Sequence, residues 1–88
     1  MITVKEALIN VETYLGNAWA ISLVRDVGEA YIFSYYLKKR PDEILVGVQP
    51  LSVDKVTGKI SHFYLPNKEN FKRLENAVEI PREEWNQV

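Results

Sequence analysis

Cysteine is absent from this 88-residue sequence, which excludes a disulfide framework, a thiolate metal centre and a cysteine nucleophile together. Histidine occurs once, at His62, too few for an imidazole-built zinc centre within one chain. Neither sign of charge dominates. The formal net charge is −1 and the isoelectric point near 5.8, so the basic excess that drives binding to nucleic-acid phosphates is missing. Long apolar runs are missing too. The longest uncharged stretch, residues 13–24, has twelve residues, against about 20 for a membrane-spanning helix. Lys5 and Glu6 stand where an export signal would carry its apolar region, so a cytoplasmic location is expected. What remains is ordinary: 47% hydrophobic and 26% charged residues fit globular usage, and the length suits one domain over residues 1–88.

The chain opens on a helix signal. Thr3-Val4-Lys5-Glu6 fits a capping box, in which hydroxyl and carboxylate exchange bonds with each other's amides. Val4, Ala7, Leu8, Val11, Tyr14 and Leu15 follow at three- and four-residue steps, an apolar stripe on a helix over 3–15, and Gly16 can end it. After Asn17 the period becomes two. Trp19, Ile21 and Leu23 alternate with smaller residues up to the turn Asp26-Val27-Gly28-Glu29. A second run over 30–38 is rich in strand formers, so the pair reads as an antiparallel hairpin.

Residues 38–43 are a polar break containing Pro41. Residues 44–53 read as a third strand interrupted by Gly47 and Pro50. Asp54-Lys55-Val56-Thr57-Gly58 is a turn, with an Asp that can accept local amides and a Gly that supplies positive φ. Residues 59–65 return as a fourth strand. Past Pro66, a helix should carry Phe71, Leu74, Ala77 and Val78 toward the sheet. Pro81 then opens a short last turn holding Trp85 against the body. The expected fold is α+β: an N-terminal helix, a four-stranded antiparallel sheet and a C-terminal helix, packed in two layers with the helices on one face.

Little here performs chemistry. His62 shares a strand face with Ile60 and Tyr64, and its nearest acid, Asp54, lies across a turn. Asp42-Glu43 and Glu83-Glu84 are adjacent pairs whose members point apart. Glu75 and Glu79 share a helical face amid Lys72 and Arg73. All read as solvated surface. Residues 54–58 lack the alternating oxygen ligands and the closing bidentate Glu of a calcium loop. Gly58-Lys59 lacks the rest of a phosphate loop. No catalytic residue, metal ligand or cofactor contact is expected. The aromatics are the one excess. Tyr35 and Tyr36 must point to opposite faces, so one of them lies away from the core or at a contact, and exposed Tyr near Arg is the composition of protein–protein hot spots.

The segment Gly47-Val48-Gln49-Pro50-Leu51-Ser52-Val53-Asp54-Lys55-Val56-Thr57-Gly58-Lys59-Ile60 resembles the core pattern of the YrhB-like, immunity protein 35 family, glycine, then proline, then V-D-K-x-T-G. The helix and aromatic hairpin before it also match that family's order, while the charged helix after Tyr64 departs from it. The resemblance implies a cytoplasmic immunity protein that binds and neutralises a cognate bacterial toxin domain, in the setting of bacterial competition; the charge balance and the lack of a long apolar run already lead us to expect no nucleic-acid or membrane partner. It also implies an alternative, a heat-stable chaperone-like holdase without a fixed partner. Under the immunity reading, Asp26, Glu29, Asp42 and Glu43 would mimic the charge of the toxin's substrate and steer encounter. Tyr31, Tyr35 and Tyr36 would be the desolvated anchors. A strand edge at residues 44–48 would allow a homodimer by strand addition.

Overall fold

The computed structural model describes residues 1–40, 49–63 and 68–85. Asp42, Glu43 and the strand edge expected at 44–48 lie outside them. The architecture is α+β, and its antiparallel sheet has five strands, not four. Helix α1 (Val4–Leu15) is followed by β1 (Trp19–Asp26), β2 (Ala30–Leu37), β3 (Leu51–Asp54), β4 (Ile60–His62), helix α2 (Lys68–Glu75), β5 (Val78–Glu79) and a last turn of helix, α3 (Arg82–Trp85). The spatial order is β4-β3-β2-β1-β5.

Local chemistry sets the early elements. The Thr3 hydroxyl accepts from the Glu6 amide at 3.2 Å, and the Glu6 carboxylate accepts from the Thr3 amide at 3.2 Å, which closes the capping box. The β1–β2 hairpin turns where Gly28 adopts φ +102° and donates its amide to the Asp26 carboxylate at 2.7 Å.

The alternation expected along β1 is broken once. Ile21 pairs with Tyr35 but Leu23 pairs with Ser34, so Ser22 is an extra residue in the ladder. Such a bulge switches every following side chain to the other face. Val24, opposite Phe33, thereby enters the core, and Leu23 leaves it. Arg82 of α3 reaches the carbonyl exposed at this irregularity, Ser22 O, at 3.4 Å.

The core lies between α1, α3 and one sheet face: Ala7 and Val11 from α1, Ile21 and Val24 from β1, Phe33 from β2, Leu51 and Val53 from β3, and Trp85. Burial of each large apolar side chain there contributes about 1.5–3 kcal/mol. Trp85 is held as the sequence suggests, 4% exposed, with its indole N–H donating to Ile80 O at 3.2 Å.

The segment before Trp85 does not follow expectation. None of the residues of α2 is buried, and Phe71 is 53% exposed. Val78 is not helical but sits in β5, where it pairs with Asp26. The helix ends at Glu75, because continuing it would forfeit the pairing of residues 78–79 with the free edge of β1. Ala30, Ile32 and Phe63 are also buried yet stand apart from the main core. Ala30 and Ile32 alternate with Tyr31 and Phe33, which places them on the sheet face turned away from α1.

Candidate functional site

The residues of the Asp54–Gly58 turn are bound to one another by a set of short polar contacts. Asp54 Oδ1 accepts the amides of Val56 and Thr57 at 2.8 and 2.9 Å, and Gly58, at φ +74°, donates its amide to Asp54 O at 2.8 Å. The Thr57 and Val56 amides hold the Asp54 carboxyl below its ordinary pKa, since hydrogen bonds to the charged form favour it.

Lys55, inside this turn, ties three parts of the chain together. Its amide donates to Glu29 O at 3.0 Å and its carbonyl accepts from the Ile2 amide at 2.8 Å. Its ammonium lies 2.8 Å from both oxygens of Asp26 and 4.8 Å from the centre of the Tyr31 ring. Burial alone would raise the Asp26 carboxyl, but the Lys55 bond, the Gly28 amide and the Lys55 charge together lower it.

Beside Asp26 lies a cavity of about 440 Å³ between the start of α1, the end of β1, the start of β2 and the β5–α3 segment. Asp26 and Tyr31, opposite each other across β1 and β2, form one wall. Val4 and Ile80 are apolar walls, and Glu79 and Glu84 add two further acids. Glu79 stands opposite Arg25 in the β1–β5 register. Three acidic residues thus line the cavity, and of these Asp26 is the one paired with the Lys55 ammonium.

Of the seven residues expected at a partner contact, the five that are described do not form one patch. Asp26 and Tyr31 come together in this cavity. Glu29 lies elsewhere, on a second cleft, and pairs with Arg73 of α2. Tyr35 is on the core face, where its hydroxyl donates to Gln49 O at 2.8 Å and its ring meets Trp19 edge-on at 5.2 Å. Burial first, and the nearby Tyr14 second, push its pKa up. Tyr36, opposite Ala20, is the tyrosine on the face away from α1, half-buried beside Ser34 and Leu23. Asp42 and Glu43 lie outside the described residues.

Sequence reasoning missed Lys55 as a site residue, and also Glu79 and Glu84. The only sequence signal was the position of Lys55 between Asp54 and Gly58; the two glutamates join the cavity lining only through the non-local β5–α3 segment. His62 is exposed on β4, opposite Leu51 in register. Among the described residues, no group of three or more histidines or acids is arranged to hold a metal ion, and no helix is long and apolar enough to cross a membrane. No family model matches the sequence, and neither a curated protein nor a solved structure matches it.

Proposed function

We propose that this chain is a cytoplasmic, non-enzymatic binding protein of the immunity type, which neutralises a cognate bacterial toxin domain by covering its active cleft. Its sequence support is the resemblance of residues 47–60 to the immunity protein 35 pattern. The structural observation that carries the reading is the concavity holding Asp26, Tyr31, Glu79 and Glu84. A toxin whose cleft binds a nucleic acid or nucleotide is basic, and a concave acidic surface with an aromatic wall complements a protruding Lys or Arg. The Asp26–Lys55 pair is fixed before binding, so little side-chain ordering remains to oppose association.

The test is co-expression with any toxin domain that a neighbouring gene encodes. A 1:1 complex that survives purification is expected, and Glu84→Lys should weaken it at least tenfold, more than 1 kcal/mol, as for a contact residue at an interface. Failure to form any complex with that toxin would overturn the reading. The holdase alternative needs a broad apolar surface. Among the described residues, the most exposed large hydrophobics, Met1, Ile9, Tyr14, Val56, Phe71 and Val78, are instead spread over the N-terminus, α1, the β3–β4 turn, α2 and β5. Suppression of heat aggregation of an unrelated enzyme would favour the holdase.

A further inference from the structure

On the sheet face turned away from α1, a second cleft of about 240 Å³ opens between the β3–β4 hairpin and α2. That is room for about eight waters at ~30 Å³ each, or for one small oxyanion with part of the group carrying it. Ala30, 5% exposed, gives the floor almost no side-chain bulk. Ser52 and Ser61, directly opposite each other across β3 and β4, line the cleft. Lys59, two residues before Ser61 on the same face, stands beside them, and Arg73 of α2 closes the far side.

We infer that this cleft binds a phosphoryl-type oxyanion, through Lys59, Ser52, Ser61 and Arg73. The inference is independent of the toxin-binding reading. Among the described residues, the hydroxyls of Ser52 and Ser61 and the Lys59 ammonium have no hydrogen-bond or ion-pair partner, so three donors converge unused on one small space. Two carboxylates also border it, and both are engaged. Asp54 Oδ1 takes two turn amides, and Glu29 is paired with Arg73. The Arg73–Glu29 pair is solvent-exposed on both sides, 41% and 59%, and such pairs contribute little. Exchanging Glu29 for an incoming oxyanion therefore forfeits little pair energy, and the guanidinium fork fits phosphate oxygens.

Arg73 also keeps its place when Glu29 lets go. Its guanidinium lies 6.0 Å from the centre of the Phe63 ring and donates to Asn70 Oδ1 at 3.3 Å. Donors then line both the β3–β4 side and the α2 side of the cleft, a distribution that suits a tetrahedral oxyanion better than a planar carboxylate. No glycine loop is involved; side chains do what backbone amides do in a phosphate loop.

The test is titration of the ¹⁵N-labelled protein with inorganic phosphate at constant ionic strength, followed by amide chemical shifts. Saturable shifts confined to residues 29–30, 52–61 and 73 are expected. Lys59→Ala should weaken binding at least fivefold, and Ser61→Ala should weaken it by a smaller factor. Both positions are exposed, so the fold is retained. Shifts that do not saturate, that chloride reproduces, or that persist unchanged in Lys59→Ala would overturn the site. Acetate binding as tightly as phosphate would overturn the phosphoryl class.

Discussion

On the α1 side of the sheet, Phe33, Val24, Leu51 and Val53 meet Ala7, Val11 and Trp85 with almost no surface left in water. On the opposite side, α2 buries none of its own residues and reaches the sheet through the pairing of Arg73 with Glu29 and the contact of Arg73 with Phe63. The same strands therefore carry two kinds of surface. The first face holds the fold together by removing apolar area from water, where each methylene counts. The second also buries Ala30, Ile32 and Phe63, but it meets α2 through exposed charges that can exchange partners with little cost to the main core. Under the proposed binding role, one face would supply rigidity and the other would be left to vary.

The comparison is tested most sharply by matched aromatic truncations. Phe33→Ala on the core face should lower unfolding free energy by about 3–5 kcal/mol, and Phe71→Ala on α2 by less than about 0.5 kcal/mol, in urea denaturation. Equal losses would erase the distinction between the faces. Next in size is the turn that joins them. Gly58→Ala should cost about 1–2 kcal/mol, because φ +74° is disfavoured for any residue with a Cβ. A new Cβ would meet nothing nearer than Ile2 Cδ1 at 3.9 Å, so the cost is conformational and Gly58→Asn should recover part of it.

The Asp26–Lys55 pair adds a pH signature. Asp26 and Asp54 are both held below their ordinary values in the folded state. Their stabilisation is fully present above the unfolded carboxylate pKa of about 3.9, and is lost as pH falls through the depressed folded values. Thermal melts along that acid limb should steepen in the native protein and flatten in Lys55→Met. The smallest effect belongs to the α2 face: Arg73→Ala should change stability by no more than about 1 kcal/mol. A larger loss would mean that α2 holds the fold together after all.

How much of this was readable in advance depended on how local each cause was. Thr3 and Glu6 lie one helical turn apart, so their mutual capping was visible as a spacing. Asp54, Thr57 and Gly58 likewise contain their turn within five residues. Trp85 after Pro81 suggested an anchored end, because a large aromatic beside a helix-starting proline has few other uses. The misreadings share the opposite property. Phe71, Leu74, Ala77 and Val78 have helical spacing, but spacing states only that they could share a face, not that a face awaits them. Val78 and Glu79 are too short a run to show a period of two, and they are a strand only because β1 offers a free edge. The bulge at Ser22 leaves the apolar alternation of β1 intact in sequence while reversing which side chains are buried. Of the expected contact residues, Asp26 and Tyr31 were brought together by the hairpin register, while Tyr35 was taken into the core by its bond to the Gln49 carbonyl.

The sequence by itself determined the helix at the start, the aromatic hairpin, the Asp54–Gly58 turn and the class of fold. Each follows from backbone preferences and hydrogen bonds satisfied among near neighbours. Tertiary structure alone decided that a fifth strand completes the sheet, that Val24 rather than Leu23 enters the core, and that Lys55 joins Asp26 to Tyr31. It also gathered Lys59, Ser52, Ser61 and Arg73 around one cleft. Those outcomes depend on pairings between residues tens of positions apart, whose free energy exists only once the chain has closed on itself.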